Sequence, residues 1–240
     1  MGNTGLKQHY ETASKTGVLQ ISNNKPKLRE IPAEVYKLSE SLRNLDLSKN
    51  KISCISDDIT KLKLLKQLNL SDNAIQVLPS MLSNLKKLEL LNVSHNCIQL
   101  LPHPIAELSN LKQIYLNNNK FKQFPKPLIG LKNLEVVDLS YNKIVEIPSG
   151  MANFHAMELN LSQNEISVLS EDLHEAPRLK ILKLEENCLC LDTIPPSLLR
   201  DSKIHTLNVD GNLFESKQLA SVEGYNEYTE RYTAIKKKMF

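Results

Sequence analysis

The sequence predicts an α/β solenoid in which short parallel strands stack along one face and short helices or 3₁₀ turns return the chain along the other. Two observations support this class. First, a pair of apolar residues spaced two apart recurs along the chain, and an asparagine follows the second of them by three residues. Second, the composition is rich in the residues of this pattern, since the 240 residues include 41 leucines and 23 asparagines. With only 7 glycines, phosphate-binding loops and doubly wound nucleotide-binding folds are disfavoured.

The repeated unit is most regular at its asparagine. The eight asparagines follow one another at steps of 23, 23, 23, 23, 22, 23 and 25 residues, and they are Asn50, Asn73, Asn96, Asn119, Asn142, Asn164, Asn187 and Asn212. The alternation before each one predicts a strand whose apolar side chains face inward. We expect each asparagine to turn the chain, with its amide hydrogen-bonded to backbone groups between coils.

The segments after each asparagine and at the two ends complete the elements. A proline six residues after several of the asparagines opens a P-x-x-L segment, which predicts a 3₁₀ or helical turn. Residues 4–15 predict an amphipathic helix that Gly17 ends, and the apolar and tyrosine spacing over 219–232 predicts a second capping helix. We expect one domain, residues 1–240, with a capping helix at 1–17, repeats at 18–213 and a cap with a basic tail at 214–240. The predicted sheet has about nine strands and a curved, horseshoe form.

The sequence contains no catalytic or metal-binding pattern. None of the six histidines stands at metal-ligand spacing or beside a nucleophile, and no phosphate-loop or kinase signature occurs. We expect no enzymatic activity, cofactor, metal or small-molecule substrate, and a net charge of +3 predicts no nucleic-acid partner. Because the sequence has no secretory h-region, we expect an intracellular, cytoplasmic protein, and we expect it to be a monomer. In that compartment its cysteines stay free thiols, and they are Cys54, Cys97, Cys188 and Cys190.

The pattern L-x-x-L-x-L-x-x-N-x-L is the signature of leucine-rich repeats, and the chain is identified as a member of that family. Its P-x-x-L segments are similar to those of the Ras-associated leucine-rich repeat proteins. The opening Met1-Gly2-Asn3, the stretch 178–188 and the ending 223–238 resemble a group of small intracellular members. This resemblance implies a protein without enzymatic activity that associates with membranes through a lipid on Gly2.

The N-terminal residues by themselves form an incomplete acylation motif. Met1-Gly2 followed by small residues fits N-myristoylation, but the sixth position holds Leu6 where the pattern asks for Ser or Thr. A methionine that is retained or simply removed is the alternative. One myristoyl chain gives only marginal membrane binding. The basic run 236–238 would lie about 38 Å away across eight strand gaps, so its cooperation with Gly2 is not expected.

The outward strand positions are the predicted binding surface, because solenoids bind partners along their sheet. Most of these positions are small and polar, whereas tyrosine and apolar side chains appear in the central coils. Interfaces favour such residues inside a polar rim. The predicted protein-binding residues are Leu90, Tyr115, Val136, Asp138, Tyr141 and Ile181, and ordinary surface is the alternative interpretation. Further along the chain, the predicted surface has an acidic end, which consists of Glu158, Glu185, Glu186 and Asp210.

Two functions remain open on this evidence. The first is a protein-interaction module, an adaptor or scaffold held near a membrane. The second is a regulator of a small GTPase or phosphatase, in which Arg43 or Arg178 would be presented to the partner's phosphate.

Overall fold

The computed structural model describes the backbone of residues 3–239 and the side chains of residues 7–237. The chain divides into two compact units, Met1–Lys120 and Phe121–Phe240. They are called unit 1 and unit 2 below.

Unit 1 is built from coils that each contribute one short parallel strand. Neighbouring strands pair one repeat apart, so that Leu45 lies opposite Leu68 and Leu68 opposite Leu91. The strands are β1 (Val18–Gln20), β2 (Asn44–Asp46), β3 (Gln67–Asn69), β4 (Leu90–Asn92) and β5 (Gln113–Tyr115). The helices are α1 (Asn3–Thr16) and α2 (Ala33–Tyr36), and the 3₁₀ turns are Asp57–Lys61, Ser80–Asn84 and His103–Glu107.

Unit 2 repeats this arrangement and ends in helices. Its strands are β6 (Val136–Asp138), β7 (Glu158–Asn160), β8 (Ile181–Lys183) and β9 (Thr206–Asn208), each parallel to the next. The 3₁₀ turns are Lys126–Leu128, Met151–Asn153, Glu171–Glu175, Leu191–Thr193 and Ser216–Ser221. Helix α3 (Pro196–Arg200) lies between β8 and β9, and helix α4 (Tyr225–Met239) follows the last coil. The predicted repeat fold is confirmed, with five strands in unit 1 and four in unit 2.

The recurring asparagines connect successive coils, as the sequence predicted. Asn96 is representative, since it is 8% exposed and its Nδ2 donates to the carbonyl oxygens of Leu70, Val93 and Ser94 at 3.0–3.1 Å. Its Oδ1 accepts the N–H of Ile75 at 2.9 Å. One buried amide thereby satisfies four backbone groups that the turn would otherwise leave unpaired.

Helices cover both ends, which confirms the predicted caps. Helix α1 ends at Gly17, whose φ of 74° is the left-handed conformation that glycine adopts without steric cost. At the other end, the N–H of Leu207 in β9 donates to the hydroxyl of Tyr228 in α4 at 3.1 Å. This bond satisfies a group on the outer edge of the last strand, which would otherwise invite pairing with another chain.

The turn contains one feature that the sequence did not reveal. The residue before the repeat asparagine, or before Asn24 in the first coil, is left-handed in successive coils, with φ between 52° and 58° at Asn23, Lys49, Asp72, His95, Asn118, Tyr141, Gln163 and Glu186. In the last coil the position is a glycine, Gly211, at φ 76°. A side chain with a Cβ loses about 1–2 kcal/mol in this conformation, so most coils carry a small local strain.

Replacing His95 by Gly should therefore stabilise unit 1 by about 0.5–1 kcal/mol, because relief of the left-handed strain exceeds the added unfolded-state entropy. Urea unfolding followed by circular dichroism measures the change. Gln99→Gly is the control, since Gln99 is exposed in the same coil and should lose about 0.5–1 kcal/mol. Equal losses in both variants would show that His95 is not strained.

Candidate functional site

The outward side chains of the strands form the candidate site. We call the side chains that stand six, four and two residues before each recurring asparagine the strand face. Along β2 and β4 the central leucine is buried while its two neighbours are half-buried. The period of two along a strand therefore separates core from strand face within each coil.

A repeated hydrogen bond orients the polar side chains of the strand face in unit 1. The Oδ1 of Asn92 accepts the N–H and the Oγ–H of Ser94 at 3.0 and 2.8 Å. Asp46 accepts the N–H of Ser48 at 2.9 Å in the same way, and Asn69 that of Ser71 at 3.1 Å. With Oδ1 held by the backbone two residues on, each of these side chains is fixed in its orientation on the strand face.

The strand face of unit 1 contains a depression of about 400 Å³. Amide side chains line much of it, and the apolar and aromatic lining residues are Val18, Leu19, Leu45, Leu90 and Tyr115. Val18 is 50% exposed, and the Tyr115 hydroxyl donates to Gln113 Oε1 at 3.3 Å. Apolar contact surface surrounded by fixed hydrogen-bonding groups is typical of sites that bind polypeptide segments.

The strand face of unit 2 carries more charge. Lys183 Nζ lies 2.6 Å from Glu158 Oε1 in a half-buried ion pair. The carboxylate of Glu185 accepts hydrogen bonds from Ser162 Oγ at 2.5 Å and from Asn208 Nδ2 at 2.6 Å. Donors therefore hold Glu185 in place. Of the acidic end predicted from the sequence, Glu158, Glu185 and Asp210 lie on the strand face, and Glu186 lies beside it.

The predicted binding residues lie on or beside the strand face. Leu90 and Tyr115 are half-buried in the depression of unit 1. In unit 2, Val136, Asp138 and Ile181 are half-buried strand residues, and Asp138 accepts the N–H of Ser140 at 2.9 Å. Tyr141 follows the strand and is 53% exposed. The predicted lipid site, Gly2, lies outside the described residues.

Two features of the site escaped the sequence analysis. The recurring Asn-x-Ser pattern was visible, and the Asn-to-Ser hydrogen bond that it encodes could have been predicted from the known preference of such residues for local backbone bonds. The depression in unit 1 had no sequence signal, because its depth depends on how the coils stack.

Within the described ranges, histidine, cysteine and acidic side chains nowhere gather in threes as candidate metal ligands. A separate search of the same residues finds no helix with the length and apolar character needed to span a bilayer.

Comparisons with known proteins agree with this repeat architecture. A family model described as Leucine rich repeat matches residues 15–75, and a second of the same description matches residues 133–154. A leucine-rich repeat protein of Leptospira interrogans is 25% identical, with a TM-score of 0.54 over 85% of this chain. An internalin of Listeria monocytogenes is 22% identical, with a TM-score of 0.67 over 86% of this chain.

A third similar structure contains bound partners. The Arabidopsis receptor kinase HAESA, solved in complex with the peptide hormone IDA and the co-receptor SERK1, is 32% identical over 76% of this chain, with a TM-score of 0.62. The present chain spans only part of these proteins, namely 63% of the Leptospira chain, 59% of the internalin and 31% of HAESA.

Proposed function

This chain is a leucine-rich repeat protein, and from that premise we propose that its strand face binds a segment of another protein and that it performs no catalysis itself. The observation that carries the proposal is the set of Asx side chains in unit 1, each fixed at Oδ1 by a serine N–H. Fixed side chains lose little entropy when a partner binds, which favours affinity.

The chemistry of the depression in unit 1 suits an extended peptide. The backbone of such a segment offers N–H and C=O groups that amide side chains such as Asn69 and Asn92 can satisfy. Leu90 and Tyr115 would contact its apolar side chains. The complex of HAESA with a peptide hormone gives a precedent for a leucine-rich repeat protein that binds a peptide.

The remaining predicted residues would extend recognition in unit 2. Val136, Tyr141 and Ile181 offer apolar and aromatic surface, and Asp138 adds a carboxylate. The carboxylates of Asp138 and Glu185 favour a partner segment that carries Lys or Arg.

Membrane tethering through myristoylated Gly2 is part of the proposal, and it would place a monomeric, cytoplasmic adaptor at the inner face of a membrane. Support comes from the N-terminal motif and from the resemblance of the two ends of the chain to small intracellular members of the family. Metabolic labelling with a myristate analogue, compared between wild type and Gly2→Ala, tests it. Equal labelling of the two would reject the tether.

A regulator of a small GTPase or phosphatase is the alternative function. Arg178, one of its two candidate arginines, is half-buried and donates to the carbonyl oxygen of Lys132 at 3.2 Å. Arg43 is exposed. Because the guanidinium of Arg178 is already hydrogen-bonded to Lys132, it is less suited to enter a partner's active site. The binding function is therefore favoured. Accelerated GTP hydrolysis that depends on Arg43 would favour the alternative.

The double variant Leu90→Ser with Tyr115→Ala should lose at least about tenfold in affinity for the cellular partner, because buried aromatic and apolar residues dominate interface energies. Cross-linked capture from cells followed by mass spectrometry identifies the partner, and titration with the purified partner measures the loss. Met81→Ala with Leu100→Ser is the matched control, since Met81 and Leu100 are 45% and 66% exposed outside the strand face. Asp138→Lys repeats the test in unit 2.

Equal affinity of the strand-face variant and the control would reject the proposed surface in unit 1. Both variants must first unfold at the same urea concentration as wild type, so that lost binding is not lost folding.

A further inference from the structure

The two edges of the sheet in unit 1 differ in how their lysines are neutralised. At the edge where the strands begin, Glu89 accepts from Lys66 and Lys112 at 3.0 Å each. Hydrogen bonds from Lys112 and Lys66 hold the pKa of Glu89 below its usual value. Lys86 pairs with Glu107 at 2.9 Å. In these contacts three lysines share two glutamates, so most of the charge of Lys66, Lys86 and Lys112 is compensated.

The edge where the strands end contains lysines without such compensation. We call Lys25, Lys27, Lys49 and Lys51 the lysine patch. Across the ion pairs found among the described residues, none of these four lies within 4.0 Å of a carboxylate. All but Lys27 are exposed.

Contacts between two successive coils hold the patch together. Lys27 Nζ donates to Asn23 Oδ1 at 2.6 Å and also to the carbonyl oxygen of Lys49. The N–H of Lys51 donates to the carbonyl oxygen of Leu28 at 2.8 Å. Because these acceptors carry no formal charge, the patch keeps its four positive charges.

The start of helix α1 lies toward the same edge. It ends at Gly17, where β1 begins, and His9 Nδ1 lies 3.3 Å from the carbonyl oxygen of Gln20 at the end of β1. The helix therefore runs antiparallel beside β1. Asn3, six residues before His9, is displaced roughly 9 Å further at 1.5 Å per residue. The start of α1 thus lies toward the end of β1, where Asn23 and the lysine patch follow.

We propose that the lysine patch binds the anionic phospholipid surface of a membrane and holds the edge where the strands end against it. Lysine suits this role, because its ammonium is a mobile point charge that can follow a fluid layer of headgroups. The orientation of this contact relies on the tether proposed at Gly2, whereas the ionic attraction does not.

The expected gain is large enough to supply the second signal that a single acyl chain needs. One lysine close to an anionic surface raises partitioning about fivefold, so four raise it several hundredfold. A myristoyl chain alone binds with a constant of about 10⁴ M⁻¹. The two together would make attachment stable at cellular lipid concentrations.

Cosedimentation of the full chain with vesicles tests the proposal. The vesicles contain either phosphatidylcholine alone or phosphatidylcholine with roughly one third phosphatidylserine, which supplies the anionic surface that attracts basic segments. The protein is prepared both unmodified and after coexpression with an N-myristoyltransferase. The unmodified form reports the ionic contact even if Gly2 is never acylated in cells.

The test variant is Lys49→Glu with Lys51→Glu, and the matched control is Lys63→Glu with Lys87→Glu, two exposed lysines outside the patch. Each pair lowers the formal net charge by four, from +3 to −1. We expect the test variant to lose at least about 25-fold in binding to phosphatidylserine vesicles. The control should retain binding within about twofold.

An equal fall in both variants would reduce the effect to net charge and overturn the proposal. So would wild-type binding without preference for phosphatidylserine, or tighter binding to poly-glutamate, which would indicate an acidic protein partner. If the charge reversal prevents folding, Lys49→Gln with Lys51→Gln replaces it, with an expected loss of about 25-fold. These variants leave the strand face unchanged, so failure here and failure of partner capture are distinguishable.

Discussion

Replacing Asn96 by Asp should destabilise unit 1 by about 3–5 kcal/mol, although it exchanges only one NH₂ group for an oxygen. The Nδ2 of Asn96 donates to three carbonyl oxygens at 3.0–3.1 Å, those of Leu70, Val93 and Ser94. In the variant a carboxylate oxygen faces those three acceptors. Three buried acceptors lose their donor, and a negative charge is left without a partner at a site that is 8% exposed.

Urea unfolding measured by circular dichroism gives the loss, with Asn84→Asp as the control. Asn84 is exposed at the end of a 3₁₀ turn in the same unit, and the same substitution there should change stability by no more than about 0.5 kcal/mol. A loss below about 1 kcal/mol at Asn96 would show that the hydrogen bonds between coils contribute little, contrary to the geometry.

The asparagine pattern predicted the fold well because its physical cause is local. The buried amide at the end of a strand is satisfied when its coil stacks in register on the preceding one, which brings residues such as Leu68 and Leu91 opposite each other. The spacing of Asn96 from its neighbours therefore specified strand, turn and stacking together. The left-handed conformation of His95 escaped notice, because glycine, the usual sequence signal for it, occupies that position only at Gly211.

The candidate site was predicted in part, for related reasons. The period of two along a strand put Leu90 and Tyr115 on the outward surface, as observed. The same rule cannot say how deep the surface between them is. The lysine patch also escaped, since Lys27 and Lys49 are 22 residues apart and meet only through stacking. Other lysines of unit 1, namely Lys66, Lys86 and Lys112, pair with Glu89 and Glu107, which composition alone does not reveal.

Gly224→Ala should destabilise unit 2 by about 3 kcal/mol and expose the edge of its last strand. Gly224 has φ 89°, and a Cβ there would lie 2.5 Å from the backbone nitrogen of Arg200 in α3. The left-handed conformation costs a side chain about 1–2 kcal/mol, and the forced shift adds a similar overpacking cost. Because the obstacle is backbone, a side-chain rotation cannot relieve it, and α4 must move away from α3.

That movement matters because α4 satisfies groups on the preceding coil. The Tyr228 hydroxyl accepts the N–H of Leu207, and Arg231 donates to the carbonyl oxygens of Ile204 and Arg200 at 3.0 and 3.1 Å. Lost contacts would leave β9 with unpaired edge groups and a tendency to aggregate. Hydrogen exchange at the Leu207 amide, combined with urea unfolding, measures both effects.

Gly130→Ala is the control within the same unit, because a Cβ at Gly130 meets no atom within 4 Å and its φ is not in the left-handed range. It should be neutral or stabilise the unit by up to about 1 kcal/mol through the unfolded state. If Gly224→Ala leaves the Leu207 amide as protected as in Gly130→Ala, then α4 is not held by its approach to α3. The coil that carries Leu207 would then have to be stabilised by its own stacking on β8.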